Sequence, residues 1–318
     1  MYRVGIDLGG TNIVAGVVDD SFQVIATAKR KTNSPRPAEK IADDMAVVTL
    51  EAVAAAGLKI EEIDEFGIGT PGSIDPVNGV IVYANNLQFH QVEMVKMMKE
   101  RIGREFFIEN DANAAAYGEY IAGAGKGAEN FVAVTLGTGV GGGVILGGKI
   151  YSGTNHAGGE LGHTVIAMNG ERCTCGRHGC WEAYASATAL ISQTKQAMCR
   201  YPGSAMWAMC EGDISKVSGI TAFDAMRAGD PIGRMVVDHY CEYVSVGISN
   251  IINIFQPDIV CIGGGISKEG DTLIQPVAAY VTGENYARDI PRQTVIRAAA
   301  LGNDAGIIGA AFLGDVYR

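Results

Sequence analysis

The sequence predicts an α/β protein built from two related halves. Residues 6–12 read IDLGGTN and lead into the apolar run IVAGVV, and residues 134–140 read VTLGTGV and lead into GGGVIL. Each segment is typical of a strand, a Gly/Thr turn and a second strand, in the same order and of the same size. Two such halves suggest a duplicated domain that closes around one ligand. The alternative is a chance similarity between two glycine-rich hairpins.

The other elements are predicted from periodicity, with strands marked by short apolar runs and helices by apolar residues at helical spacing. Strands are expected at 4–7, 13–18, 24–32, 66–69, 106–108, 149–151, 258–262 and 294–298. Helices are expected at 38–56, 112–121, 183–198, 231–255 and 303–313. The resulting order, strands alternating with helices, favours sheets covered by helices.

A glycine-rich segment at 123–130 (GAGKGAEN) is the best candidate for a domain boundary. We therefore expect an N-terminal α/β domain over 1–122, completed by the C-terminal helix 303–318. A C-terminal α/β domain over 123–302 would carry a cysteine-rich loop at 156–182.

This loop predicts a metal site. It holds three of the seven cysteines and one of the five histidines: Cys173, Cys175, Cys180 and His163. Three thiols and one imidazole at this spacing are typical of a closed structural zinc site. Gly176 and Gly179 would let the chain turn tightly around the ion. The alternative is three unrelated thiols in a mobile loop.

Two carboxylates bracket the same loop. Glu160 precedes His163 by three residues and would share its face on a helical turn. If zinc holds one imidazole nitrogen, the other nitrogen and Glu160 can point into one cleft. Glu182 closes the loop at its other end. We therefore expect the metal to aim polar side chains at a polar ligand.

Candidate ligand-binding groups also occur at strand ends. Asp111 lies where a strand gives way to a helix, the edge at which open α/β sheets bind ligands, and Asn110 and Asn113 crowd the same corner. The alternative for Asp111 is a helix N-cap. The turn at 9–12 could wrap backbone N–H groups around a phosphate, or be an ordinary tight turn. The glycines at 263–265 would let a flat group or a phosphate lie against the backbone.

Bulk composition excludes some classes of protein. Apolar residues make up 47% and charged residues 19% of the 318 residues, as in ordinary globular proteins. We expect no membrane span, since no run of eighteen apolar residues occurs, and no signal peptide before the first strand. The odd cysteine count favours a reducing cytoplasm. A net charge of −10 argues against a nucleic-acid partner.

Taken together, the motifs resemble the ROK family of sugar kinases, within the actin-like (ribonuclease H-like) ATPase fold that sugar kinases share with Hsp70. The resemblance covers essentially the whole chain. It rests on DLGGTN at 7–12, END at 109–111, LGTGVGGG at 136–143, HAGGELGH at 156–163, CTCGRHGCWE at 173–182 and GGG at 263–265.

The resemblance implies that ATP binds in the cleft between two duplicated α/β domains. Asp7 would lie near Mg²⁺, and Thr138 and Gly139 would cradle the phosphates from the second half, with Gly264 and Gly265 beside the adenosine. The first phosphate turn would consist of Gly9, Gly10, Thr11 and Asn12.

The resemblance also implies a sugar site. Asp111 would be the general base that takes a proton from the sugar's 6-hydroxyl, and His163 would bind zinc with one nitrogen and sugar with the other. The remaining sugar ligands would be Gly72, Asn110, Glu160, Glu182 and one of the pair Asn85 and Asn86. We expect the zinc ion to serve this sugar side alone, with the nucleotide turns independent of it.

The implied activity is ATP-dependent phosphorylation of a hexose at its 6-hydroxyl, with glucose (a glucokinase of glycolysis and carbohydrate metabolism) favoured by family habit. Kinases of N-acetylglucosamine, N-acetylmannosamine, mannose or fructose are alternatives, and polyphosphate is an alternative donor. Family habit also implies a cytoplasmic homodimer. A sugar-responsive repressor of the same family would need a helix-turn-helix, which we do not expect because the first strand begins by Val4. A purely structural zinc module would leave the two phosphate-type turns unexplained.

Overall fold

The computed structural model describes residues 1–318 and contains three β-sheets. The strands are β1 (Tyr2–Leu8), β2 (Asn12–Asp19), β3 (Val24–Lys31), β4 (Glu65–Thr70), β5 (Ser73–Asp75), β6 (Val80–Ala84), β7 (Phe89–Val92), β8 (Phe107–Asn110), β9 (Phe131–Leu136), β10 (Val140–Leu146), β11 (Lys149–Ile150), β12 (Ile259–Gly263) and β13 (Val295–Ala298). The helices are α1 (Ala38–Ala55), α2 (Met94–Ile102), α3 (Asp111–Ala122), α4 (Glu182–Ala185), α5 (Ala187–Arg200), α6 (Met206–Met209), α7 (Thr221–Arg227), α8 (Pro231–Phe255), α9 (Asp271–Glu284), α10 (Ala305–Ala311) and α11 (Gly314–Tyr317).

The two larger sheets share one topology, which confirms the predicted duplication. Their strand orders are β3-β2-β1-β4-β8 and β11-β10-β9-β12-β13. In the first sheet, β1, β2 and β3 form an antiparallel meander, and β4 and β8 extend it in parallel on the other side. In the second, β10 and β11 are antiparallel, and β12 and β13 are parallel. The sequence did not predict the small antiparallel sheet β5-β6-β7.

Contacts divide the chain into two compact units, which we describe separately. The first consists of Met1–Val132, Gly143–Gly159 and Ala300–Arg318, and the second of Ala133–Gly142 and Glu160–Ala299. The segment 123–130 is therefore grouped with the first unit, as are the C-terminal residues. The division into functional domains at residue 122 stays a prediction.

In the first unit, α1 covers the five-stranded sheet with the apolar face predicted from its spacing. Ile41, Met45 and Val48 are fully buried, at intervals of four and three residues that place them on one side of a helix. They join one core cluster with the inward residues of β1, β2 and β4. The core under α1 is thus built from side chains.

A second contact in the first unit is made without side chains. Four glycines, here called the glycine seam, lie where a Cβ would overlap a neighbouring backbone: Gly5, Gly67, Gly118 and Gly309. At the first two, an added Cβ would overlap the carbonyls of Ile307 and Ala310 in α10. The closing helix thus packs backbone to backbone against β1, β4 and α3, which only glycine permits.

Two predicted helices are interrupted. The helix expected at 183–198 is split into α4 and α5 by Ser186, whose hydroxyl accepts a hydrogen bond from the Ala189 N–H (3.1 Å) and so starts a new helix. The closing helix expected at 303–318 consists of a 3₁₀ turn (Gly302–Asp304), α10 and α11. Gly314 begins α11, where an added Cβ would lie 2.6 Å from the Glu65 carboxylate.

The long helix α8 starts as its sequence indicates. The Asp230 side chain accepts from the Ile232 N–H (2.8 Å), and Pro231 occupies the first helical position. No helix in the structure combines the length and apolarity needed to cross a membrane.

Candidate active site and metal centre

The predicted general base lies where β8 meets α3. Asn110 caps the helix, because its side-chain oxygen accepts hydrogen bonds from the backbone N–H of Ala112 (2.9 Å) and of Asn113 (3.2 Å). Asp111 is the first helical residue, and its Oδ1 also accepts from the Ala112 N–H (2.9 Å). The interpretation of Asp111 as the cap is therefore wrong. Its carboxylate retains acceptor capacity for a further partner.

A buried carboxylate supports this corner from behind. Glu109 is 2% exposed, and its Oε1 accepts from the backbone N–H of Asn110 (2.7 Å) and from Nδ2 of Asn113 (3.1 Å). Its Oε2 accepts from the hydroxyl of Tyr317, 208 residues later in the chain. Burial and the Glu109 charge raise the pKa of Tyr317, so this hydroxyl stays a donor. The turn that carries Asp111 is thereby fixed from the C-terminal helix.

Asp7 and Asp111 share a half-buried acidic corner. Asp7 is the last residue of β1 that pairs with β4, where it lies opposite Gly69. Burial is the larger cause, and the charge of Asp111 the smaller one, that together raise the pKa of Asp7 to about 6. Burial also raises the pKa of Asp111, although hydrogen bonds to its carboxylate oppose this. Two carboxyl groups that resist ionising together are suited to a divalent cation or to accepting a proton.

The first glycine turn is held by its own hairpin. The Gly9 N–H donates to the Asn12 carbonyl (2.9 Å). Thr32, directly after β3, donates its N–H to the Thr11 carbonyl (2.9 Å) and its hydroxyl to the Gly9 carbonyl (2.6 Å). The side-chain oxygen of Asn12 is buried without a hydrogen-bond partner. This oxygen therefore has acceptor capacity for a ligand or an ion.

Gly10 and the two asparagines after β6 lie near this turn. A Cβ added at Gly10 would lie 3.5 Å from the Asn86 Cβ, an ordinary contact. The Asn86 carbonyl accepts from the Ser34 hydroxyl (2.8 Å), and the Asn85 side chain accepts from the Tyr83 hydroxyl (3.2 Å). Both asparagines are exposed. Asn86 therefore lies beside the first turn, whereas the Asn85 side chain already has a partner.

Gly72 supports the acidic corner through its backbone. Its φ is 108°, and an added Cβ would overlap the Tyr83 carbonyl, so the turn itself requires glycine. The Gly72 carbonyl accepts from Nδ2 of Asn110 (3.1 Å). Gly72 thereby orients the amide of Asn110.

In the second unit, the turn between β9 and β10 is held by α5. Within the turn, the Gly137 N–H donates to the Gly139 carbonyl (3.0 Å). The Ala187 N–H donates to the Gly137 carbonyl (2.8 Å), and the Thr188 hydroxyl donates to the Thr138 carbonyl (2.8 Å). The Thr138 side chain is exposed and available to a ligand.

The glycines after β12 differ from each other. Gly264 has φ 87°, and a Cβ there would overlap the backbone of Leu136 in β9. At Gly265, an added Cβ would meet no atom within 4 Å. The fold itself therefore requires Gly264, whereas Gly265 leaves open space at the carboxyl end of β12, where sheets of this class bind ligands.

The predicted metal ligands are brought together. The candidate ligand atoms of His163, Cys173, Cys175 and Cys180 all lie within 4.8 Å of one another. The Cys175 and Cys180 sulfurs are 3.7 Å apart, and the Cys173 sulfur is 3.7 Å from Nδ1 of His163. A tetrahedral zinc with Zn–S bonds of about 2.3 Å places sulfurs roughly 3.8 Å apart. The four residues therefore fit zinc.

The loop geometry agrees with a cage. Gly176 and Gly179 both have positive φ, at 88° and 80°, as tight turns around an ion require. Hydrogen bonding from the Arg177 backbone lowers the pKa of Cys175, whereas burial raises the pKa of Cys180 to about 12. Because zinc binds thiolates, its binding here would release protons.

A metal ion bound through His163 would leave one imidazole nitrogen free. Since Nδ1 of His163 faces Cys173, Nε2 is the nitrogen available to another ligand. Glu160 directly precedes the short 3₁₀ turn Leu161–His163, and its side chain is exposed. The His163 N–H donates to the Glu160 carbonyl (3.1 Å), so the two residues are joined across this turn.

Glu182 connects the metal loop with the second glycine turn. Its Oε2 accepts from the Val140 N–H (3.1 Å), and its Oε1 accepts from the Thr174 hydroxyl (3.0 Å) and lies 3.6 Å from the Cys173 sulfur. The second turn therefore contacts the zinc loop directly through Glu182, although the sequence predicted that the turns are independent of the loop. Each carboxylate oxygen can accept two hydrogen bonds, so Glu182 keeps capacity for a sugar hydroxyl.

Sequence reasoning missed three supporting residues. Thr174 and Thr188 are exposed threonines, and no local pattern distinguishes their hydroxyls from others. Tyr317 is distant in sequence from the corner that it supports. Only the position of Thr174 between two cysteines could have drawn attention to it.

The profile of the ROK family matches residues 3–315. A glucokinase of Thermotoga maritima is 37% identical over 309 residues, which cover 97% of this chain and 95% of that protein. The structure of a ROK family glucokinase from Streptomyces griseus in complex with glucose and AMPPNP is 33% identical, with a TM-score of 0.81 and coverage of 98% of this chain and 99% of that one.

A xylose repressor of Bacillus subtilis is 29% identical over 313 residues, which cover 97% of this chain but 75% of the repressor. A family profile that spans nearly the whole chain and a relative at 37% identity agree with the two matching sheets and the metal ligand cluster. The chain belongs to the ROK family.

Proposed function

We propose that this protein is an ATP-dependent sugar kinase that phosphorylates glucose at its 6-hydroxyl. The observation that carries the proposal is the corner at the end of β8, where Asn110 caps α3 and leaves the Asp111 carboxylate available. Near-full-length similarity to glucokinases favours glucose over other hexoses.

In the proposed reaction, Asp111 accepts the proton of the sugar's 6-hydroxyl as that oxygen attacks the γ-phosphate. Phosphoryl transfer depends mainly on positioning and charge, with one carboxylate to orient the nucleophile. The raised pKa of Asp111 makes the group a stronger base than a solvated carboxylate. Glu109 and Tyr317 keep it in place.

The two glycine turns are the candidate phosphate-binding segments. In the first, Gly10 leaves room for close approach, and backbone N–H groups of 10–12 would face phosphate oxygens. In the second, Thr138 presents an exposed hydroxyl, and Gly139 follows it. The adenosine would lie against Gly265, where the backbone is open.

Bound Mg²⁺ would neutralise phosphate charge and orient the γ-phosphate. Asp7 and the unpartnered oxygen of Asn12 are the groups that would hold it, since carboxylate and amide oxygens are its preferred protein ligands.

Hydrogen bonds to the sugar would come from amide side chains and from the zinc loop. Asn110 and one of Asn85 and Asn86 would contribute amides. From the zinc loop, Glu160, Nε2 of His163 and Glu182 would contribute acceptors or donors, while the closed ligand set leaves the zinc itself without a chemical role. A cytoplasmic homodimer acting in glycolysis remains part of the proposal.

A sugar panel with two phosphoryl donors tests the function. We expect ADP release with ATP and glucose at a higher kcat/KM than with N-acetylglucosamine, N-acetylmannosamine, mannose or fructose, and little turnover with polyphosphate. A preference for another sugar would correct the substrate, and turnover with none would reject the kinase in favour of a sugar-binding role.

A further inference from the structure

The Glu182 carboxylate is shared between two segments that lie far apart in sequence. On one side, its Oε1 accepts from the Thr174 hydroxyl at 3.0 Å. On the other, its Oε2 accepts from the Val140 N–H at 3.1 Å. We call this chain of contacts, from Thr174 through Glu182 to Val140, the Glu182 link. It lies entirely within the second unit.

The zinc end of the link is fixed by the metal ligands. Thr174 is the residue between Cys173 and Cys175, so a bound ion sets the position of its backbone on both sides. The Cys173 sulfur itself lies 3.6 Å from Oε1 of Glu182. A change in the metal cage therefore displaces the groups that hold the carboxylate.

The other end of the link is sterically tight. A Cβ added at Gly139 would overlap Oε2 of Glu182, so the carboxylate lies directly against the turn. Val140 begins β10, and its N–H would have no acceptor in the turn if Glu182 moved. An unsatisfied buried N–H is costly, so the turn and the carboxylate must move together.

From these contacts we infer that Glu182 is a positioning residue for the phosphoryl-donor turn and transmits the state of the zinc loop to residues 137–140. The inference rests on the proposed function for its nucleotide. It assigns Glu182 a role besides contact with sugar, and it implies that zinc supports nucleotide binding as well as sugar binding.

Thr174→Val, compared with Thr164→Val, tests the link in the zinc-loaded protein. Both residues are exposed threonines of the zinc loop, but the Thr164 hydroxyl donates to the Leu161 carbonyl (2.7 Å) and not to Glu182. Loss of one hydrogen bond to a charged group should weaken AMPPNP–Mg²⁺ binding about three- to tenfold in Thr174→Val. We expect no change in Thr164→Val, with zinc content the same in both, measured by calorimetry and metal analysis.

Amide hydrogen exchange at Val140 gives a readout that does not depend on activity. We expect this amide to exchange several-fold faster in Thr174→Val and in Glu182→Met, which keeps a similar side-chain length but has no oxygen to accept from the Val140 N–H, and not in Thr164→Val. Unchanged exchange in Glu182→Met, or equal nucleotide affinity in the two threonine variants, would overturn the link. If the wild-type protein bound no AMPPNP, the proposed function would fail, and the Val140 exchange would still decide the inference.

Discussion

The two glycine turns follow strands of equivalent position, yet they are held in different ways. In both, a threonine hydroxyl donates to a turn carbonyl: Thr32 to Gly9 (2.6 Å) and Thr188 to Thr138 (2.8 Å). Thr32 belongs to the same hairpin meander, whereas Thr188 lies on a helix that follows the zinc loop. The first turn is therefore local, and the second depends on a distant insertion.

The acidic side chains near the two turns also differ in how they are held. Asp7 and Asp111 lie in the first unit with raised pKa values and spare acceptor capacity. In the second unit, each oxygen of Glu182 already accepts a hydrogen bond from a donor of the protein, which ties this carboxylate to the turn and to the zinc loop. The two halves keep the same sheet topology, but the acidic groups beside their turns have different partners. Changes to the acidic corner of the first half should therefore reduce catalysis, and changes at Glu182 should reduce nucleotide binding and metal retention.

The largest effect is expected for Asp111→Asn. Because the amide cannot accept the proton, kcat should fall roughly 10²- to 10⁴-fold while sugar affinity persists. Steady-state kinetics and glucose calorimetry measure this, with thermal stability as the folding control. If the variant keeps more than about a tenth of wild-type kcat, Asp111 is not the general base.

A smaller effect, on stability, is expected for Asp7→Asn. Because the folded-state pKa of Asp7 is raised from 3.8 to about 6, ionising this carboxyl disfavours the folded state. The cost is small below pH 4, grows between pH 4 and 6, and reaches about 3 kcal/mol above that range.

Urea unfolding without metal or nucleotide measures this difference. At pH 8, Asp7→Asn should have the larger free energy of unfolding, and at pH 4.5 most of the gain should be lost. A gain of equal size at both pH values would show that ionisation of Asp7 is not the cause.

The smallest effects are expected from matched glycine substitutions, one in each turn. They test whether the two turns are held in different ways. Gly139→Ala places a Cβ on the Glu182 carboxylate, and such overpacking should cost about 1–3 kcal/mol and weaken zinc retention. Gly10→Ala meets only the Asn86 Cβ at 3.5 Å, so stability and zinc content should remain while the KM for ATP rises. Denaturation, metal analysis and kinetics on both variants make the comparison. Zinc loss in both would contradict the difference between the turns.

Periodic elements of the fold were predictable from the sequence. The hairpin strands, α1 and α8 carry strong apolar patterns, and the metal ligands are marked by residue type and spacing. The broken helix at Ser186 was not predicted, because a serine within a helical pattern reveals its capping role only when its hydroxyl partner is known. The small sheet β5-β6-β7 has strands too short for a periodic signal.

The residues that hold the site in place were harder to predict than the candidate catalytic and ligand-binding residues themselves. Asp111 stands out at a strand–helix junction, but its fixation by Glu109 and Tyr317 depends on a contact across 208 residues. The sharing of Glu182 between Thr174 and Val140 likewise depends on tertiary placement. The roles of Asn110 and Asp111 at the helix start could be separated only by seeing which side chain accepts from which N–H.

The glycine seam alters what counts as a conservative substitution in this protein. In a core built from side chains, the cost of a replacement grows with the volume that is added or removed. At Gly5, Gly67, Gly118 and Gly309, the first added carbon already overlaps a backbone carbonyl that cannot rotate away. Alanine is elsewhere the mildest replacement, but at these four positions it should destabilise the fold as a larger residue would. Single substitutions can therefore reshape the α1 face of this protein gradually, whereas the α10 face must stay as it is or be rebuilt as a whole.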